Sequence, residues 1–156
     1  MSEKTLTFRN AGPADAETVT RFNIACARES EDLELDPAVV GPGVRAVLGD
    51  PDRGRYFIAE DEAGPAGQVM ITFEWSDWRN AWIWWLQSVY VRSDARRRGV
   101  FSALYEHVEA EARAAGVAAI RLYVDLDNER AERTYLRAGF ERAHYRLLGK
   151  PLSDGA

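Results

Sequence analysis

The 156-residue chain contains one cysteine, Cys26, and two histidines, His107 and His144. A lone cysteine excludes an internal disulfide, and Cys26 shares a helical spacing with Val19 and Phe22, which reads as a buried structural thiol. With so few soft ligands, no cluster has the spacing of a metal site, so metal catalysis is not expected. No apolar run approaches the length of a membrane span. The first ten residues, MSEKTLTFRN, are acidic and polar where a signal peptide needs a basic start and an apolar centre, so a cytoplasmic protein is expected. Positive charge is also in deficit, with 20 Lys and Arg against 25 Asp and Glu and a net charge of −5. General nucleic-acid binding rests on broad basic surfaces, and that class is set aside. Repeats, low-complexity stretches and linkers are missing, so the chain reads as a single domain over residues 1–156 with a frayed tail from Ser153.

What is present is concentrated in one place. Residues 89–105 read VYVRSDARRRGVFSALY: an apolar strand end, then Arg92, Arg96, Arg97 and Arg98, then Gly99, then an amphipathic helix. A helix start exposes unpaired N–H groups and the positive end of the helix dipole, so a glycine there with arginines beside it suits phosphate oxygens. On an acidic molecule this is a compact anion site for a small phosphorylated ligand. A P-loop would need a longer glycine-bearing loop ending in Gly-Lys-Ser/Thr, and a dinucleotide fingerprint three spaced glycines; the turn has only Gly99.

The surrounding pattern is that of an α/β (α+β) domain. Thr5 to Arg9 alternates as a first strand, and Ala14 to Arg28 carries Ala16, Val19, Phe22 and Cys26 at helical spacing. The acidic stretch that follows, with Glu29, Glu31, Asp32, Glu34 and Asp36, reads either as a solvated loop or as a rim that attracts a cationic substrate. A second helix is expected from Pro37 to Leu48, regular only from Val44 because Gly41, Pro42 and Gly43 interrupt it. Strands are expected at Tyr56 to Glu60, Gln68 to Trp75 and Ala81 to Val91, with all five tryptophans between Trp75 and Trp85. Those rings read as bulky sheet core, with one or two as alternative walls of a pocket. The stripe Phe101, Leu104, Tyr105, Val108, Ala112 and Ala115 predicts a helix closed by Gly116, and Val117 to Val124 alternates as a strand. Asp127 or Asn128 caps a short helix ended by Gly139, and Phe140 to Leu148 reads as a final strand or hairpin.

Two segments at this spacing resemble the GNAT superfamily of N-acetyltransferases. ARRRGVF looks like that family's Gln/Arg-x-x-Gly-x-Gly/Ala turn, with Arg96 and Gly99 in the matching places. NERAERTYLRAGF is similar to its Asn-x-x-Ala-x-x-x-Tyr-x-x-x-Gly-Phe segment through Asn128, Ala131, Tyr135, Gly139 and Phe140. The resemblance implies a mixed, mostly antiparallel twisted sheet of six to seven strands with a splayed central pair, flanked by about four helices. It implies acetyl-CoA as donor, with no metal. Arg96, Arg97 and the backbone of Arg98, Gly99, Val100 and Phe101 would hold the pyrophosphate. A bulge near Ser88 and Val89 would let the backbone of Val89, Tyr90 and Val91 pair with the pantetheine arm and aim an amide at the thioester carbonyl, worth on the order of 10²–10³ in rate. Asn128 would bond the pantetheine, and Tyr135 would be general acid for the leaving thiolate. Phe101 stands where the family has a small residue, and its place in the helical stripe predicts that it turns into the core.

The acceptor side is less determined. Acetyl transfer needs a neutral amine, and neutralising a lysine-like amine of pKa about 10.4 at pH 7 costs about 4.6 kcal/mol. Gln87 cannot take a proton, so the base is sought at Glu74, then Asp77, with Glu29 and Glu31 behind them. A cationic small-molecule amine is the leading acceptor, with a peptide N-terminus or lysine as alternatives. A non-catalytic acyl-CoA sensor and a nucleotide-binding module are the rival classes; a homodimer is compatible with the acetyltransferase reading.

Overall fold

In the computed structural model, which describes residues 5–154, the alternating segments assemble into one sheet in the order β1-β2-β3-β4-β5. The strands are β1 (Thr7–Asn10), β2 (Arg55–Asp61), β3 (Gly64–Ser76), β4 (Ala81–Val91) and β5 (Ala119–Leu122). The first four pair antiparallel, and β5 joins β4 in parallel through the crossover helix α3 (Val100–Ala114). Helices α1 (Ala16–Glu31) and α2 (Pro37–Leu48) precede β2, and α4 (Glu129–Arg137) follows β5. The chain divides into two compact units, one running to Tyr123 and the other beginning at Val124.

Period-two alternation gives the sheet of the first unit two apolar faces. On one, Tyr56 and Ile58 of β2 pack with Val19 of α1 and Val44 of α2, and Met70 joins them. On the other, Val69 and Leu86 meet Leu104 and Val108 of α3, and Phe57 meets the edge of the His107 ring. Apart from the half-buried Met70 and His107, both sets are buried, so the sheet is the middle layer of this unit.

α2 runs without interruption despite Gly41, Pro42 and Gly43. The Asp36 carboxylate caps the Ala38 N–H, and Gly41 and Val44 are buried, so capping and packing override the weak propensity of that run. The six to seven strands expected are not found, since the described residues contain five and residues 140–148 form none. Tyr145, Leu147 and Leu148 of that segment are exposed. Its alternation supplied a strand-like pattern but no neighbour, and a strand exists only when a ladder partner satisfies its backbone. The tryptophans also depart from a core role. Trp84 is buried, while Trp75, Trp78 and Trp82 are exposed around the far turn of the β3–β4 hairpin. The expected tail, 153–156, extends beyond the described residues.

Candidate active site

The β3–β4 ladder contains one irregularity, and it lies where the chain approaches the arginine turn. Gln68 pairs with Tyr90 and Met70 with Gln87, so Ser88 and Val89 together stand opposite Val69. That is a bulge on β4, with Ser88 at φ +47°, a conformation that L-residues rarely adopt. The ladder to β5 ends at the pair Leu86 and Leu122, whereas β4 keeps its β3 partner to Val91. Among the described residues, the backbone from Gln87 to Val91 therefore has a ladder on one side only.

Three elements converge on the bulge of β4. Gln68 of β3 is fully buried, and its amide NH₂ donates to Asn23 Oδ1 of α1 at 2.6 Å and to the Ser88 carbonyl at 3.1 Å. Asn23 in turn donates to the Tyr56 hydroxyl of β2 at 3.0 Å. The Cys26 thiol donates to the Val89 carbonyl at 3.3 Å, and Phe22 packs on the Tyr90 ring. Burial pushes the titrations of Tyr56 and Cys26 upward, so both stay protonated at neutral pH, the Tyr56 hydroxyl accepting from Asn23 and the Cys26 thiol donating to Val89. Gln68 Oε1 is buried and meets no donor among the described residues, a condition that typically costs about 1–3 kcal/mol.

After β4 the chain makes a short 3₁₀ turn, Ser93–Ala95, and then the turn that starts α3. Arg97 and Gly99 take left-handed conformations at φ +61° and +73°, and no side chain caps the helix. A helix start of this kind, without a side-chain cap, is where a ligand's phosphate oxygens or water can meet first-turn N–H groups. The side chain of Phe101 turns away from this start to line an apolar cavity with Val69, Leu86 and Leu104. The bulky residue at that position therefore does not fill the turn.

The arginines have separate tasks. Arg92 donates to the Pro65 carbonyl at 2.8 Å and pairs with Asp61 at 3.1 Å, and Arg98 reaches the same carboxylate at 3.4 Å. Asp61 is nearly buried, and its carboxyl is held below the usual range by the Ala63 N–H and then by Arg92. These contacts tether the β2–β3 turn to the start of α3. Arg96 donates to the Val91 carbonyl at 2.9 Å, lies over the Tyr90 ring and pairs with Glu29 at the end of α1. Arg97 is exposed. The sequence pointed to Arg96, Arg97 and the backbone amides of Arg98 to Phe101 for a pyrophosphate; in the fold the Arg96 side chain is engaged by Glu29, Arg97 is exposed and the Arg98 side chain turns to Asp61.

Glu74 sits opposite Ile83, five residues along β4 from Ser88, which is roughly 16 Å at strand rise. It pairs with Arg121 of β5 at 3.1 Å, and the Arg121 guanidinium lies over Trp85, itself stacked on Tyr123. The span from Glu74 to the bulge is too long for direct proton transfer. Asp77 lies beyond it in the far turn, and Glu31 is exposed.

The second unit carries the other motif. Asn128 caps α4, its Oδ1 accepting from the Ala131 N–H at 3.1 Å, which leaves its NH₂ as a donor. Tyr135 on α4 meets the edge of Phe140 with ring centroids 5.7 Å apart, and Arg142 pairs with Glu132 at 2.8 Å. Among the described residues no group of three His, Cys, Asp or Glu is arranged to hold a metal ion, and no helix is long and apolar enough to cross a membrane.

The sequence reading missed Asn23, Tyr56, Gln68 and the contact of Glu29 with Arg96. A signal for one of them existed, since Gln68 is a lone amide at the head of the apolar run Val69 to Phe73.

Comparison with known proteins bears on this geometry directly. Residues 18–140 match the model of the acetyltransferase (GNAT) family. The chain is 29% identical over 140 residues to the aminoalkylphosphonate N-acetyltransferase of Salmonella typhimurium (strain LT2), a match that covers 90% of this chain and 88% of that protein. A solved structure described as a possible acetyltransferase from Clostridium difficile 630 superposes with a TM-score of 0.90 at 34% identity, covering 95% of this chain and 98% of that one. The ribosomal-protein-alanine N-acetyltransferase of Brucella melitensis biovar Abortus 2308 shares the fold, with a TM-score of 0.77 at 13% identity over 96% of this chain and 100% of that one. The bulged β4, the glycine that opens α3 and the family match over residues 18–140 make this chain a member of the GNAT family of acetyltransferases, enzymes that take acetyl-CoA as acetyl donor.

Proposed function

We propose that the chain transfers the acetyl group of acetyl-CoA to the primary amine of a small cationic or zwitterionic molecule. The observation that carries the reading is the succession of β4 bulge, one-sided backbone from Gln87 to Val91 and uncapped helix start at Gly99. It presents, in order, donors for a carbonyl, an edge for an extended arm and amides for a diphosphate. Phe101 is turned into its apolar cavity, so its bulk is compatible with a diphosphate at that helix start.

In the reaction the neutral amine attacks the thioester carbonyl, a C–N bond forms, the nitrogen gives up a proton to water, the C–S bond breaks, and the thiolate takes a proton. Tyr135 is the proton donor in this reading, on the strength of the motif it shares with the family, and such a step is commonly worth about 10²–10⁴. Asn128 offers its NH₂ to the pantetheine. Glu74, beside the aromatic surface formed by Trp85 and Tyr123, draws the cationic acceptor toward this side of the sheet, and acts on the reacting nitrogen only through water. The Salmonella relative supports a small-molecule acceptor, since its name puts the amine on an alkylphosphonate; in this chain Arg121 beside Glu74 is a suitable partner for such an anionic group.

The test is release of CoA thiol from acetyl-CoA across a panel of aminoalkylphosphonates, amino acids, polyamines and peptides. Small amines are expected to turn over, and Tyr135→Phe to slow turnover by about 10²-fold or more while CoA binding holds. CoA binding without thiol release for any amine would mark a sensor. Undiminished turnover in Tyr135→Phe would remove that residue from the mechanism.

A further inference from the structure

A bulge that throws Ser88 into a left-handed conformation takes its carbonyl out of the β3–β4 ladder and into the interior. Something neutral must donate to it there. The same spot presents a second acceptor, Asn23 Oδ1, so the group required is a buried, uncharged double donor long enough to reach both. The Gln68 NH₂ meets that description, at 3.1 Å and 2.6 Å. Its other end gains nothing, because Oε1 is buried without a donor among the described residues. Selection for stability alone would favour an apolar residue on this strand, so the amide has another task.

That task follows from peptide geometry. In a planar trans peptide the C=O of one residue and the N–H of the next point in opposite directions. Fixing the Ser88 carbonyl on Gln68 therefore fixes the Val89 N–H on the opposite side, and fixing the Val89 carbonyl on Cys26 does the same for the Tyr90 N–H. Asn23 holds the Gln68 amide in its orientation and is held in turn by Tyr56.

We infer that Gln68 is a positioning residue for acetyl transfer: through the Ser88 carbonyl it aims the Val89 N–H at the thioester oxygen. The inference rests on the reading above that the thioester lies at the bulge. Because the amide acts on a hydrogen bond that strengthens as the carbonyl becomes an oxyanion, its loss affects kcat more than donor binding.

The experiment compares the wild-type chain with Gln68→Met, which keeps the length and loses both donors, and with Tyr56→Phe, which frees the far end of the chain of hydrogen bonds. Circular dichroism confirms folding. Steady-state kinetics separate kcat from the KM for acetyl-CoA, and infrared difference spectra of bound acetyl-CoA, labelled with ¹³C at the carbonyl, report how strongly that carbonyl is polarised. In Gln68→Met kcat is expected to fall about 10- to 100-fold, part of the effect of losing an oxyanion donor outright, with KM changed less than about threefold. The carbonyl band is expected to move back toward its position in free acetyl-CoA. Tyr56→Phe shows the same pattern more weakly, and serves alone should Gln68→Met fail to fold. A carbonyl band in wild type that matches free acetyl-CoA overturns the site reading, and this inference with it. A wild-type shift that persists in the variants, or equal losses in kcat and donor affinity, overturns the role of Gln68 alone.

Discussion

Glu29 holds the arginine expected to hold the diphosphate, and this competition can be measured. Its Oε2 accepts from Arg96 Nη2, and its Oε1 accepts from the Tyr90 hydroxyl at 3.4 Å. Both side chains of the ion pair are well exposed, at 43% for Glu29 and 39% for Arg96. A pair exposed to this degree contributes about 0.2–1 kcal/mol. Glu29→Gln removes the charge and keeps the shape, so the free protein should lose about that much stability. A diphosphate that no longer displaces a carboxylate should bind about 1.4- to 5-fold more tightly, the same free energy expressed as an affinity. The two effects have opposite signs. Thermal unfolding without ligand and calorimetric titration with CoA read them separately, and both should shrink at high salt. Weaker CoA binding in Glu29→Gln would refute the competition, and an unchanged affinity would show that Arg96 does not contact the anion.

Two further outcomes follow from packing and charge. A Cβ added at Gly67 would lie 3.1 Å from the Tyr90 carbonyl oxygen and 3.2 Å from Val100 Cγ1, so Gly67→Ala requires these neighbours at the end of β4 and the start of α3 to give by a few tenths of an ångström. It should destabilise the protein by about 1–3 kcal/mol and lower Tm by roughly 2–4 °C for each of these, whereas an unchanged Tm would mean that the contact relaxes freely. Asp15 receives two hydrogen bonds from Arg9 at 2.8 Å, which hold its carboxyl below the ordinary range. A carboxyl depressed by folding stabilises the fold above its unfolded pKa of about 3.9 and loses that contribution as pH falls through the lower folded value. The Tm gap between wild type and Asp15→Asn should therefore be constant from neutral pH to about pH 5 and narrow below about pH 4, and a gap that persists in strong acid would refute the assignment.

The parts of the site legible in the sequence are those made by neighbours along the chain. Gly99 before the stripe Phe101, Leu104 and Val108 marks the start of α3, and Asn128 three residues before Ala131 marks the cap of α4, because capping and helical periodicity are local. The bulge at Ser88 came from family resemblance, since nothing in the string LQSVYV announces a left-handed serine. What the sequence concealed is long-range. Gln68 meets Asn23 across 45 positions, Arg96 meets Glu29 across 67, and Arg98 meets Asp61 across 37. Counting arginines overstated the positive charge open to a ligand, because Arg92 and Arg98 lean on a carboxylate from the neighbouring hairpin. The strand expected at residues 140–148 failed for the same reason in reverse, as its pattern is local and a ladder partner is not.

The hydrogen bond from the Cys26 thiol to the Val89 carbonyl makes the lone cysteine of this protein a built-in reporter of that contact. Thiolates react with alkylating reagents and thiols do not, and burial holds this thiol protonated. Cys26 is only half-buried, so its contact with β4 slows modification rather than forbidding it, and labelling quickens wherever α1 lifts from β4, much as amide exchange speeds with local unfolding. Slow labelling also keeps the protein's own background low when released CoA is followed with a thiol reagent.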